Sequence, residues 1–180
     1  MEIRLAEYND YQRIAELHAS SWQENYQNVM DASYLENDVL EDRQLIWQTR
    51  LINPPMNQHV VVLEDNGVIC GFACAFGNHD FEKGSIIESL HVAKEFQGKG
   101  LGRVLIKAIV EWIEHFFPDS GVYIEVMAKN TQAIEFYDDL GGAHLSDRVW
   151  HSPCGIDINE WVYTWETPKA ILSAVDTVAA

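Results

Sequence analysis

A glycine-rich segment near the middle of the chain has residue types suited to binding an anion. Gly98, Gly100 and Gly102 alternate within "EFQGKGLGRVLI" (residues 95–106), and an apolar pattern of helical spacing begins at Leu101. Glycines let successive backbone N–H groups point into one concavity and let a ligand approach closely. A helix behind such a loop adds unpaired N–H donors and the positive end of its dipole. The segment therefore predicts a phosphate-binding loop built mainly from main chain.

Two common phosphate-binding motifs do not match this segment. A P-loop requires Ser or Thr after its Gly-Lys pair, but Gly100 follows Lys99. A dinucleotide fingerprint requires its third glycine where Arg103 stands, and it opens a βαβ unit, whereas hairpin strands precede this loop. A glycine-rich turn without a ligand is the structural alternative, and the density of glycines before so regular a helix favours the ligand.

Three stretches, "QGKGLG", "ESLHV" and "NTQAIEFYDDLGG", together resemble the GNAT superfamily of N-acetyltransferases. "QGKGLG" resembles its Gln/Arg-x-x-Gly-x-Gly/Ala signature, which holds the pyrophosphate of acetyl-CoA, and "ESLHV" resembles its splayed strand. "NTQAIEFYDDLGG" is similar to the second motif, Asn-x-x-Ala-x-x-x-Tyr followed by a glycine. An aromatic residue commonly follows that glycine, whereas this chain has Gly142 there. The difference concerns packing at a helix end and leaves the catalytic motif intact.

The resemblance covers most of the chain, and it implies a fold and a cosubstrate. The fold is α/β (mixed α+β), with a central, mostly antiparallel sheet of six to seven strands flanked by about four helices. The cosubstrate is acetyl-CoA, and no metal is expected. The residues expected to bind acetyl-CoA are Leu90, His91, Val92, Gln97, Gly98, Lys99, Gly100, Leu101, Gly102, Arg103, Asn130, Ala133, Phe136 and Tyr137. Asn130 is also a helix-cap residue, so its binding and structural roles are not separated by sequence.

Direct acetyl transfer to an amine needs a base for the ammonium proton, donors for the oxyanion and an acid for the departing thiolate. The resemblance assigns the acid to Tyr137, whose alternative role is a core aromatic. Strand parity predicts that Glu88 shares a face with Leu90 and Val92, either as the base or as a solvent-facing or ion-paired carboxylate. Glu125 on the next predicted strand and a water molecule are the other candidate bases.

The acceptor of the acetyl group is less well defined by the sequence. Trp22 and Tyr26 lie in the segment that shapes the acceptor site in this superfamily, where an aromatic wall could hold an ammonium group, although core packing explains them equally well. We expect a small cationic amine. The alternatives are a protein N-terminus or lysine, or a regulatory module that binds an acyl-CoA without turning it over. The histidines are scattered, and none has metal-ligand spacing.

The elements that position these residues follow from periodicity and turn signals. The patterns predict an opening strand, with Asn9 and Asp10 as cap candidates, and a helix running toward Tyr26. The predicted elements that follow are a helix over 39–51, a hairpin around Asn66-Gly67, strands in "SIIESLHV", "VYIEVM" and "EWVYTWE", a helix from Leu101, and a short helix from Asn130 to Gly141-Gly142.

Composition predicts one globular domain over residues 1–166, with a tail over 167–180 that lacks clear periodicity and frays. Twelve Lys and Arg against 28 Asp and Glu give a net charge of −16, which disfavours nucleic-acid and anionic-membrane partners. The chain shows no signal peptide and no bilayer-spanning apolar run. Its three cysteines form no paired framework, which indicates a reducing, cytoplasmic setting. The resemblance is also compatible with a homodimer.

Overall fold

The computed structural model describes residues 1–178. Within that range the strands are β1 Glu2–Leu5, β2 Gln58–Asp65, β3 Val68–Asp80, β4 Gly84–Val92, β5 Val122–Met127, β6 Ala143–His151 and β7 Asp157–Trp165. The α-helices are α1 Tyr11–Asn25, α2 Val39–Ile52, α3 Leu101–Phe116, α4 Thr131–Asp139 and α5 Pro168–Val178. Short helical turns at Tyr8–Asp10, Tyr34–Asp38 and Lys94–Phe96 join some of these elements.

One seven-stranded sheet runs through the molecule in the order β1-β2-β3-β4-β5-β7-β6. All neighbouring strands pair antiparallel except β4 and β5, which are parallel. This mixed, mostly antiparallel sheet with helices on both faces confirms the predicted fold class.

The hairpin of β2 and β3 turns at the two residues that the sequence marks. Asn66 and Gly67 both have positive φ, 50° and 83°, as a two-residue turn matched to the twist of the strands requires. The strands on either side are buried on both faces, because helices cover the sheet above and below.

The two faces of the sheet carry different helices. On one face, α3, α4 and α5 pack through residues such as Leu105, Ile109 and Ile171 against the central strands. On the other face, α1 and α2 pack through Ile14 and Trp47 against β2 and β3. Any ligand that passes through the sheet would therefore meet side chains from both helical layers.

The predicted cap residue Asp10 has a different role from the one expected. It stands at the start of α1, but its carboxylate caps no N–H of that helix. It accepts instead from the backbone N–H of Glu7 at 2.8 Å and from the guanidinium groups of Arg4 and Arg13. Burial alone would raise its pKa, but these hydrogen bonds outweigh burial and hold the pKa at about 2. The network fixes β1 to the start of α1.

Two segments differ from the sequence-based expectation. Residues 168–178 form α5, with Ile171 and Val175 buried against α3, so the prediction of a frayed tail is wrong there. Residues 179–180 of that predicted tail lie outside the described residues. The sequence pattern also missed β6, an edge strand whose residues are mostly exposed.

No helix within residues 1–178 combines the length and apolarity that a membrane crossing demands.

Candidate active site

The loop between β4 and α3 presents five consecutive unpaired backbone N–H groups. The N–H groups of residues 98–102 have no acceptor in the described part of the chain. Gly98 and Gly100 have φ of 72° and 75°, in the left-handed region that favours glycine. A Cβ at either position would meet no heavy atom within 4 Å, so the space in front of the loop is open. Because α3 starts directly behind the loop, its dipole adds positive potential, and the loop has the geometry of an anion-binding nest.

Some polar side chains of this loop hold the loop in place, and one retains an unpaired hydrogen-bond donor. Gln97 donates from Nε2 to the carbonyl of Val92 at 3.0 Å, which ties the loop to the end of β4. Lys99 donates to the carbonyl of Glu95. Arg103 lies 3.7 Å from the carboxylate of Asp139, and its Nη1 is buried without a partner among the described residues. An unpaired guanidinium nitrogen beside the nest adds charge that suits a phosphate.

A cleft of about 870 Å³ starts at this loop because β4 and β5 separate. The two strands pair at only two positions, Ser85 with Val122 and Ile86 with Tyr123. Beyond Ile86, the edge of β4 that faces β5 has no strand partner, so its backbone groups through residues 87–92 line the cleft. This splayed edge includes Leu90, His91 and Val92, as the sequence predicts.

Helix α4 brings the second predicted motif to the same cleft. Asn130 accepts from the N–H of Ala133 at 3.2 Å and so caps the helix, as expected. Tyr137 is 6% exposed, and its ring lies edge-on to Phe136 at 5.4 Å between ring centroids. Its hydroxyl makes no hydrogen bond to a described residue, although the side chain lines the cleft. Burial raises the pKa of Tyr137, so the phenol keeps its proton at neutral pH.

The prediction that Glu88 shares a face with Leu90 and Val92 is wrong, because β4 contains a bulge. Ser89 pairs with Cys74 and Ile87 with the next residue of β3, so Glu88 has no partner on that strand. Leu90 packs against the α3 side of the sheet, whereas Glu88 turns to the opposite face and forms a bidentate ion pair with Arg50 at 2.7 and 2.9 Å. Burial would raise the pKa of Glu88, but Arg50 outweighs it and the pKa is lowered.

Glu125 belongs to a three-residue charge group on the acceptor side of the cleft. Arg148 of β6 donates from Nη1 to Glu125 and, at 3.0 Å, to Glu160 of β7. Glu160 is 7% exposed and lines the cleft. Burial raises the pKa of Glu160 to about 7, Arg148 opposes that rise, and Glu125 adds to it. A carboxylate with such a pKa can accept a proton at neutral pH.

The predicted aromatic wall contains one more ring than the sequence indicates. Trp22, Tyr26 and Trp150 contact one another, with centroids 5.5 to 6.0 Å apart, and all three line the cleft. Trp22 is also buried in a core cluster, so its packing and lining roles coexist.

A histidine pair lies beside this wall. The ring of His91 lies against that of His18, with centroids 4.6 Å apart and planes tilted by 38°, and it shares a hydrogen bond of 2.7 Å with the hydroxyl of Ser21. Burial lowers the pKa of His91 to about 4, so the ring is neutral at pH 7.

The model of the acetyltransferase (GNAT) family matches residues 11–141, which contain the nest, the splayed strand and α4. The chain belongs to the GNAT family. It is therefore an acyltransferase that takes its acetyl group from acetyl-CoA.

Similar proteins match most of the length of this GNAT chain. An L-amino acid N-acyltransferase, MnaT, of Escherichia coli is 27% identical over 149 residues, or 78% of each chain. An uncharacterized N-acetyltransferase, YuaI, of Bacillus subtilis is 26% identical over 82% of this chain and 80% of its own. The yncA protein of Salmonella typhimurium, solved with its cofactor acetyl-CoA, has the same fold, with a TM-score of 0.66 and 21% identity over 92% of this chain and 93% of that one.

The residues present fit acetyl-CoA. Five free N–H groups and the unpaired Arg103 nitrogen suit the pyrophosphate, and the splayed edge of β4 offers backbone groups to an amide-containing arm. Among residues 1–178 of this GNAT protein, no cluster of three or more His, Cys, Asp or Glu is arranged to hold a metal.

Sequence reasoning missed three residues of the acceptor side: Arg43, Trp150 and Glu160. Parity along "EWVYTWE" places Glu160 on the same face as the apolar Val162. That pattern was a sequence signal that the carboxylate of Glu160 is buried. Trp150 comes from β6, which was not predicted as a strand. Arg43 is on the predicted second helix, and nothing in its spacing distinguishes it from a solvated arginine.

Proposed function

We propose that this GNAT protein acetylates the primary amine of a small molecule by direct transfer from acetyl-CoA. The observation that carries the proposal is the nest of residues 98–102, because it lies in the same cleft as the phenol of Tyr137 and the carboxylate of Glu160. Acetyl-CoA supplies an acetyl group activated as a thioester. The nest and Arg103 bind its pyrophosphate, and the edge of β4 at residues 90–92 binds its pantetheine arm.

Two side chains move the protons of the reaction. The Glu160 carboxylate takes a proton from the acceptor ammonium, so the amine attacks as a neutral nucleophile. A C–N bond forms to the acetyl carbon, the C–S bond breaks, and Tyr137 gives its phenolic proton to the departing sulfur. The second proton that the nitrogen loses as it becomes an amide restores the phenol. The raised pKa of Tyr137 keeps the phenol protonated until the sulfur departs, and the pKa of Glu160 near 7 supports its role as the base. Arg50 lowers the pKa of Glu88, whereas the pKa of Glu160 is raised despite its contact with Arg148, so Glu88 is the weaker candidate for the base.

Direct transfer is supported by the positions of the cysteines. Cys70 and Cys74 are buried within β3, and Cys154 lies in the β6–β7 loop. None of the three is among the residues that line the cleft. A covalent acetyl-cysteine route therefore has no thiol near the predicted donor site.

A small acceptor is favoured over a protein chain by the aromatic lining of the acceptor side. Trp22, Tyr26 and Trp150 converge there, and Pro153 of the β6–β7 loop lines the same cleft. The amino-acid acceptor in the name of the E. coli relative also supports a small molecule.

The test is thiol release from acetyl-CoA in the presence of single amines, with mass spectrometry of the acetylated product. We expect turnover with at least one small primary amine and no turnover without an amine. Binding of acetyl-CoA by calorimetry without turnover on any small amine or peptide would replace the proposal with a non-catalytic acyl-CoA-binding module. Turnover restricted to peptides would replace it with a protein acetyltransferase.

A further inference from the structure

Arg43 of α2 is a buried cation with too few hydrogen-bond partners. Its side chain is 9% exposed and lines the acceptor side of the cleft. Within residues 1–178, Nη2 donates to Asp42 at 3.0 Å, and Nε is buried with no acceptor. Leaving a charged donor unpaired in a buried position is costly, because water no longer solvates it.

Asp42 does not satisfy this arginine. The same oxygen, Oδ2, also accepts the hydroxyl proton of Tyr34, and the carboxylate is partly exposed. Other arginines of the protein are better matched: Arg50 forms two parallel hydrogen bonds to Glu88, and Arg4 forms two to Asp10. Arg43 therefore has hydrogen-bond donors left that could bind a second anion through two parallel hydrogen bonds.

The orientation of the guanidinium supports binding of a planar anion. The carbon Cζ of Arg43 lies 4.1 Å from the centre of the Trp22 ring, so the indole face covers the group on one side. The N–H groups of a stacked guanidinium point outward in its own plane, where a carboxylate can accept two of them side by side. A lone ammonium group would instead be repelled at this position.

A second charge of opposite sign lies across the same pocket. Burial raises the pKa of Tyr26, the carboxylate of Glu160 raises it further, and Arg43 lowers it. The contacts place the two groups around the same rings. Arg43 lies over Trp22, Trp22 contacts Trp150 at 5.5 Å between ring centroids, and Trp150 is two residues along β6 from Arg148, which binds Glu160. Arg43 and Glu160 both line the cleft that these rings share.

We propose that the acceptor is a free amino acid, with its carboxylate bound by Arg43, its ammonium group directed to Glu160 and its side chain against the rings of Trp22 and Trp150. This inference rests on the proposed function, since it names the acceptor class for the same site. It excludes polyamines, which carry no anion, and protein N-termini, whose carboxyl group is an amide.

The experiment compares each accepted amino acid with its own amide, which keeps the amine and side chain and removes the negative charge. The panel is the twenty standard L-amino acids, the amides of those accepted, spermidine and a tripeptide amide, with thiol release as the readout. We expect kcat/KM for the acid to exceed that for its amide by about a hundredfold, the range of a hydrogen-bonded charge pair.

Variants at Arg43 connect this preference to the residue. Arg43→Met keeps the aliphatic stem against Trp22 and should reduce the acid-to-amide ratio to near one, whereas Arg43→Lys keeps the charge without the fork and should give an intermediate ratio. Thermal unfolding of both variants checks that the fold is intact. If Arg43→Met does not fold, the wild-type ratio and Arg43→Lys still test the proposal.

The outcomes distinguish a failure of the amino-acid assignment from a failure of the proposed acetyltransferase activity. Turnover of spermidine or the tripeptide amide, with none of the amino acids accepted, would overturn the amino-acid assignment and leave the acetyltransferase activity standing. The same conclusion would follow from amides that match their acids in wild-type enzyme, or from a ratio unchanged in Arg43→Met. Absence of thiol release with every member of the panel would count against the proposed function itself.

Discussion

The phenol of Tyr137 is buried, protonated and without a hydrogen-bond acceptor in the described structure, and this combination gives a first prediction. Tyr137→Phe should lower kcat by about a hundredfold to ten-thousandfold, the usual loss for a positioned proton donor. The affinity for acetyl-CoA should barely change, because the proton is needed only as the C–S bond breaks. Steady-state kinetics and calorimetry measure the two quantities. An unchanged kcat in a folded variant would leave Tyr137 as a packing residue.

Glu160 gives a pH prediction whose sign follows from its raised pKa. The carboxylate is the active form, so kcat/KM should rise with pH through about 7, and Glu160→Gln should be slow and should lack that limb. The acceptor amine titrates at its own pKa in both proteins. A limb near pH 7 that persists in Glu160→Gln would point to another base, and Glu125→Gln would then be the next variant to measure.

The same group should also affect stability. Between pH 4.5 and about 7 the folded protein holds a proton on Glu160 that the unfolded chain has released, so the free energy of unfolding should fall as pH rises across this window. In Glu160→Gln this contribution to the decrease in the free energy of unfolding with rising pH should be absent.

At the scale of elements, the strand–loop–helix unit of β4, the nest and α3 can be tested through Gly100. Gly100→Val should weaken acetyl-CoA binding by at least tenfold, since a branched side chain at a φ of 75° is strained and stands in the open space before the N–H groups. Gly67→Val is the matched control, because Gly67 has a φ of 83° and equally open surroundings in the β2–β3 turn. Equal losses of affinity in both variants, measured by calorimetry, would indicate strain alone.

Sequence patterns predicted the elements that carry a strong local signal. The hairpin, α3 and α4 each have turn residues, caps or an apolar stripe, and the structure places them where expected. The bulge at Glu88 has no such signal, because it depends on how β4 registers with β3, and one unpaired residue reversed the predicted face. The edge strand β6 lacks an alternating apolar face, and α5 is a helix that buries only one side against α3.

The acceptor side was the least predictable part of the site for a similar reason. Arg43, Trp150 and Glu160 come from three elements that are distant in sequence, and only the sheet order brings them together. The cofactor side was predictable because its groups are mostly backbone atoms within one short segment, whose conformation the glycines specify.

At the scale of the whole molecule, the net charge of −16 should act on the anionic cosubstrate. Raising the ionic strength from 0.01 to 0.15 M shortens the screening length from about 30 Å to about 8 Å, so long-range repulsion weakens while contacts in the nest remain. The KM for acetyl-CoA should therefore fall over this range at constant pH. A KM that rises instead would mean that Lys99 and Arg103 dominate the field at the cleft.

The gap between β4 and β5 connects the two helical faces of the sheet, since its lining includes Tyr137 on the α3 side and His18 of α1 on the other. Two substrates can therefore occupy it together, each approaching by its own route. Initial-velocity plots at several fixed acceptor concentrations should give lines that intersect, and CoA should inhibit competitively against acetyl-CoA but not against the acceptor. Parallel lines would mean that the first product leaves before the second substrate binds. A cleft open on both faces does not require that order, because both substrates can be bound at once.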